Sequence, residues 1–134
     1  MADREAAVVI PLSILGKVSV TQKQIVYNNL LEALSAKFRL VQEAQYEQAL
    51  TQAFEDLEYD ECTESQCFAL IQQILQTENL FILQLVRDGT DMQITLQWVD
   101  LNARTVKNNF CEGCGTRELN QAVKALLAEM LEKR

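Results

Sequence analysis

The chain contains no histidine, one proline and four glycines in 134 residues. Without histidine, no Ser-His triad can form around Ser13, Ser19, Ser35 or Ser65. The four cysteines are then the only soft metal ligands and the best nucleophiles. Long apolar runs are also missing. The longest, Ala6 to Leu12, falls far short of the roughly 20 residues that a membrane-spanning helix needs. Positive charge is scarce: twelve basic residues against nineteen acidic ones leave a net charge of −7. Such a surface repels phosphate backbones and anionic headgroups, which argues against nucleic acid and direct membrane insertion. No glycine-rich phosphate loop occurs, and the acidic residues lack the spacing and glycine of an EF-hand. The paired carboxylates cluster in one local stretch, and nothing places two of them across a cleft for glycosidase chemistry. The expectation is a non-enzyme with no catalytic residue, no metal and no cofactor.

Half of the residues are apolar and about a quarter are charged, a globular composition. The length suits one domain, residues 1–134, that buries about two-thirds of its unfolded surface. There is no linker, repeat or low-complexity tract.

The apolar stretch Ala6 to Ile14 reads as a buried strand. Pro11 cannot donate to a ladder, so it belongs near the strand end or at a bulge. The first helix is expected from Thr21, with Thr21 and Gln24 as a capping box and Val20 and Ile25 as a hydrophobic staple. Tyr27, Leu30, Leu31, Leu34 and Phe38 follow at helical spacing. A short strand, Phe38 to Gln42, comes next. A second helix runs from Glu43 to Leu57, with Tyr46, Ala49, Leu50, Ala53, Phe54 and Leu57 on one face. A third is capped by Thr63 with Gln66 and buries Cys67, Leu70, Ile71, Ile74 and Leu75.

The second half turns to strands. Leu80 to Arg87 and Met92 to Asp100 flank an Asp88-Gly89 hairpin signal. Met92, Ile94, Leu96 and Trp98 alternate with polar residues, the mark of a sheet covered on one face. Trp98 therefore reads as core. After a turn near Asn102-Ala103, Thr105 to Cys111 forms the last strand. A final helix from Thr116 to about Lys133 buries Leu119, Ala122, Val123, Leu126 and Met130. The order is β-α-β-α-α-β-β-β-α, an α/β fold with a mixed sheet and helices packed on it.

The cysteines form two close pairs, Cys62/Cys67 and Cys111/Cys114. Cys62 and Cys67 occupy the staple positions of the third helix, so a disulfide there would pin its first turn. Cys111 and Cys114 span a strand end and the start of the last helix, with Gly113 permitting the turn. Two local structural disulfides are the favoured reading, which implies a compartment outside the reducing cytoplasm. A thiol-redox protein using Cys111/Cys114 is the first alternative. Against it, the only proline lies far upstream of the motif, and Glu112 would raise the thiol pKa. The second is a cytoplasmic Cys₄ zinc-stabilised domain, although C-x₄-C and C-x₂-C separated by 43 residues is not a standard zinc ribbon. Cross-pairing such as Cys62 with Cys114 also stays open. The segment Met1-Ala2-Asp3-Arg4-Glu5 lacks the apolar core of a signal peptide, which fits disulfides only in a mature or excised domain. The acidic stretch, including Glu55, Asp56, Glu58, Asp60 and Glu61, reads as a solvated surface whose functional use would be contact with a basic partner.

A sequence of motifs carries a resemblance: an N-terminal VVIPL strand, KFRLVQ after the first helix, YEQAL, CTESQC opening a helix, ENLFILQLVRDGT, QWVDLNARTV and FCEGC. From about Ala7 to Leu131 the chain resembles a bacterial envelope module related to the TolB N-terminal domain. It is also similar to the curli-secretion lipoprotein CsgG and the penicillin-binding-protein activator LpoB. Relatives often carry Cys-x₄-Cys and Cys-x₂-Cys at the matching places. The resemblance implies an α/β domain of a larger envelope protein, periplasmic or outer-membrane associated. It implies contacts with other envelope proteins and no catalytic residues.

Overall fold

A computed structural model of the chain describes residues 5–57, 65–100 and 103–132. The elements are β1 (Ala6–Leu15), α1 (Val20–Ser35), β2 (Arg39–Leu40), α2 (Glu43–Leu57), α3 (Ser65–Leu75), β3 (Asn79–Asp88), β4 (Asp91–Val99), β5 (Arg104–Cys111) and α4 (Thr116–Glu132). This is the α/β order read from the sequence. The strands form one sheet in the order β2-β1-β3-β4-β5. β1 pairs in parallel with β2 and β3, which obliges helical crossovers between them. β3, β4 and β5 form an antiparallel meander.

Alternation of side chains across the strands builds two cores. On one face, Phe81, Leu83, Leu85, Met92, Ile94, Leu96 and Trp98 pack beneath α1 and α4. The rings of Phe81 and Trp98 stack at 5.4 Å, and Phe38 meets both edge-on. On the other face, Val8, Ile10, Leu80 and Ile82 pack beneath Tyr46, Ala49 and Ala53 of α2 and Phe68 and Ile71 of α3. α3 stops where Gln76 takes a positive φ of 52° and the Gln76 and Thr77 N–H groups bond back to Gln73 O and Gln72 O.

Pro11 lies where the β1–β3 register slips, between Ile10 opposite Ile82 and Ser13 opposite Gln84. One extra residue in β1 makes this a bulge, which absorbs the missing N–H.

Three local expectations need correction. The cap of α1 is Ser19, not Thr21: the Gln22 N–H donates to Ser19 Oγ at 3.0 Å. Both residues are good caps, and the turn after β1 selects the earlier one. Val20 is then 82 % exposed and makes no staple with Ile25, also exposed. The extended segment expected over Phe38 to Gln42 is a strand only at Arg39–Leu40, because the Phe38 N–H is spent on Leu34 O at the end of α1 and Gln42 O accepts the Tyr46 N–H at the start of α2. The Thr63 cap of α3 lies outside the described residues.

Candidate interaction surface

α1 and α4 span one sheet face, whereas α2 and α3 lie over only the near half of the other. The far half stands open. Its rows follow from register: Leu15, Val86, Gln93 and Phe110 lie side by side, then Ser13, Gln84, Thr95 and Asn108, then Ile82, Gln97 and Val106. Leu15 is 59 % exposed, Phe110 58 % and Val106 45 %. Thr95 Oγ1 donates to Asn108 Oδ1 at 2.7 Å, and Arg104 donates to Gln97 Oε1 through Nε at 2.8 Å. The surface is thus an amide-rich plane studded with apolar side chains, with Arg104 at one end and Asp88 and Asp91 at the other.

The turn after Phe110 is heavily braced. Cys111 and Cys114 form a disulfide, their Cα atoms 5.8 Å apart. Gly113 has a φ of +61°, and its N–H donates to Asp91 Oδ1 at 3.0 Å. The Cys114 N–H donates to Thr90 O at 3.1 Å, so the turn is stitched to the β3–β4 hairpin. Glu118 then closes the start of α4 from the third helical position: the Gly115 N–H donates to Glu118 Oε2 at 3.1 Å, and the Leu119 N–H makes the first helical bond to Gly115 O at 3.0 Å. The bond consumes two of the thiolates that a Cys₄ zinc site needs. Cys114 is buried, and both cysteines precede the helix.

The other residues singled out in the sequence are not brought together here. Cys62 lies outside the described residues, and Cys67 is placed only as backbone within α3. Of the acidic stretch, Glu55 is exposed on α2, Asp56 is placed as α2 backbone, and Glu58, Asp60 and Glu61 lie outside the described residues.

Sequence reasoning missed the open face because β4 and β5 carry opposite patterns on it. Val106 and Phe110 share the parity of the polar Gln93, Thr95 and Gln97, as the hairpin register shows. A second group was also missed. At the β2 edge, Tyr27 of α1, Glu43 and Tyr46 of α2 line a cavity of about 290 Å³ with Val9, Leu31 and Leu40. Burial pushes the Tyr46 phenol up to about 12, Tyr27 adding to the rise. Burial, then the Glu43 charge, raises the Tyr27 phenol above its ordinary range. The aromatic spacing was visible on each helix, but it reads as core packing.

A cleft of about 480 Å³ between α1 and α4 is lined by Ala33, Lys37, Lys124, Leu127, Leu131 and Glu132. Among the described residues, no helix is long and apolar enough to cross a membrane.

No family model matches the sequence, and no curated protein is detectably similar to it. Solved structures are similar in fold. The C-terminal domain of LpoB from Salmonella enterica superposes with a TM-score of 0.59 at 13 % identity, over 84 % of this chain and 85 % of that one. The chain has the LpoB-domain fold. Lipoprotein GNA1162 from Neisseria meningitidis shares this fold with a TM-score of 0.53 at 13 % identity, over 94 % of this chain and 96 % of that one. TolB from Acinetobacter baumannii gives 0.55 at 11 % identity, over 97 % of this chain but 29 % of TolB. The LpoB- and TolB-like reading of the sequence is therefore matched at the level of fold.

Proposed function

We propose that the chain is a non-enzymatic protein-binding module of the bacterial cell envelope, working in the periplasm or at the outer membrane. The open half-sheet is its docking surface. The observation that carries this is the exposure of Leu15, Val106 and Phe110 on a sheet face that α2 and α3 leave bare. Exposed apolar side chains set among polar ones on an uncovered sheet face are suited to a partner site. The Cys111–Cys114 bond supports an oxidising compartment, and similar folds in a lipoprotein and in TolB support the envelope. The acidic stretch around Glu55, Asp56, Glu58, Asp60 and Glu61 is proposed as a secondary contact for a basic surface.

The test is site-specific photocrosslinking in cells of the source organism. A benzoylphenylalanine replacing Phe110 or Val106 should give the same discrete adduct. One replacing the exposed Lys124 on α4 should not. Adding Val106→Glu to the Phe110 probe should erase the adduct while circular dichroism stays unchanged. Equal labelling from all three positions, or none from the sheet, would overturn the reading.

A further inference from the structure

We propose that the cavity at the β2 edge, lined by Tyr27, Glu43 and Tyr46, receives a lysine or arginine side chain from a basic segment of a partner protein. The inference rests on the reading of the chain as a binding module. It concerns a different site, at the opposite edge of the sheet from Phe110, so each can fail alone.

The site exists because β2 is so short. It pairs only with Ala6 and Ala7, its last bond running from the Val41 N–H to Ala7 O at 2.9 Å. β1 runs on to Leu15 with no strand on that side among the described residues. The two helix layers therefore meet around a gap: α1 brings Tyr27 and Leu31 from one face, and α2 brings Glu43 and Tyr46 from the other. The gap measures about 290 Å³, room for one long side chain.

Its chemistry selects the occupant. Val9, Leu31 and Leu40 form apolar walls suited to a methylene stem. Glu43 supplies a carboxylate that has no ion-pair partner among the described residues, and no lysine or arginine lines the cavity. Both phenols remain protonated at neutral pH, so they offer oxygen acceptors and aromatic faces without adding charge. A carboxylate beside two aromatic rings and an apolar wall fits an ammonium or guanidinium group. An acidic side chain would meet Glu43, and a purely apolar one would leave that carboxylate uncompensated. The net charge of −7 draws basic segments toward the chain as a whole.

The probe is a capped pentapeptide, acetyl-Gly-Val-Lys-Val-Gly-amide, followed by two-dimensional NMR of the full chain. Companion peptides carry norleucine or glutamate in place of lysine, and butylamine is the free-amine control. The lysine peptide should bind saturably at millimolar concentration, with shifts concentrated at Val9 and from Leu40 to Tyr46. The norleucine and glutamate peptides and butylamine should bind at least about tenfold more weakly. Glu43→Gln should weaken the lysine peptide by about tenfold, and Glu43→Lys should reverse the preference to glutamate. Glu43 is exposed at the first turn of α2, so neither change threatens folding. Val106→Glu and Phe110→Glu should leave the binding intact. No saturable binding, shifts on the Phe110 face, or equal binding of the norleucine peptide would sink the proposal. Butylamine binding as tightly as the peptide would reassign the site to a free amine and refute a partner segment.

Discussion

The Trp98 indole N–H donates to Asn79 Oδ1 at 2.9 Å, in the interior between the start of β3 and the end of β4. Asn79 in turn donates Nδ2 to Ala6 O and Glu5 Oε2, both at 3.1 Å. One buried amide thus ties β1, β3 and β4 together at the end of the sheet where β1 and β3 begin and β4 ends.

Asn79→Ala should therefore cost about 2 kcal/mol, because it removes the Asn79 acceptor of a buried indole N–H and the tie to β1. The double variant Asn79→Ala/Trp98→Phe should cost less than the sum of the two single changes, since the indole donor is gone. Urea unfolding of the four proteins measures the coupling, and strict additivity would show that the bond contributes nothing.

Gly16 closes the turn between β1 and α1 with a φ of +95°, and a Cβ there would lie 2.5 Å from Arg87 O. Gly16→Ala meets backbone on both counts, strain and collision. A loss of about 2–4 kcal/mol is expected, visible as a lowered Tm. Gly89 has a comparable φ of +64° but open space around it, so Gly89→Ala should cost only the strain, about 1 kcal/mol.

Replacing Cys111 and Cys114 together by serine opens a loop whose ends are three residues apart. The chain-entropy effect of so short a loop is about 2 kcal/mol or less. The backbone bonds of Gly113 and Cys114 to the β3–β4 hairpin persist, so the double variant should fold with the same circular dichroism and a modestly lower denaturation midpoint. Loss of the folded state would mean that the bond, and not the hairpin contacts, holds the turn.

Tyr46 gives a pH signature. Its folded pKa, about 12, lies above the ordinary value of 10.0 because burial disfavours the phenolate. Between those values the unfolded chain releases the Tyr46 proton and the folded chain keeps it. Stability contributed by the neutral phenol is therefore complete below pH 10 and falls as pH rises toward 12. Tyr27 shifts in the same direction. Relative to Tyr46→Phe, the native chain should lose on the order of 2 kcal/mol over that window. Parallel urea titrations of the two proteins measure the difference, and identical pH slopes would show that Tyr46 is solvated like a free phenol.

Much of this architecture was legible from residue pattern. The alternation of Met92, Ile94, Leu96 and Trp98 identified a one-sided strand, and each of these residues is buried against α1 and α4. Pro11 marked the β1 bulge because a residue without N–H has few places in a sheet. The start of α1 was misread because Ser19 and Thr21 are chemically equivalent caps; the choice between them belongs to the chain path after Gly16. The open face was illegible for a different reason. Val106 and Phe110 alternate with Thr105, Lys107 and Asn109, and that pattern alone does not say which parity faces a helix.

The sequence by itself determined the α/β order of elements, the absence of histidine chemistry, the acidic charge and the strand–turn–helix setting of Cys111 and Cys114. These are local or compositional properties, set by spacing and side-chain type. Only the tertiary structure decided that α2 and α3 cover half a sheet, leaving Leu15, Val106 and Phe110 bare. Only it brought Tyr27 and Tyr46, from helices on opposite faces, around one cavity at the end of a two-residue strand. Both results depend on register and on how far each layer reaches across the sheet, and such long-range distances leave no periodic trace along the chain.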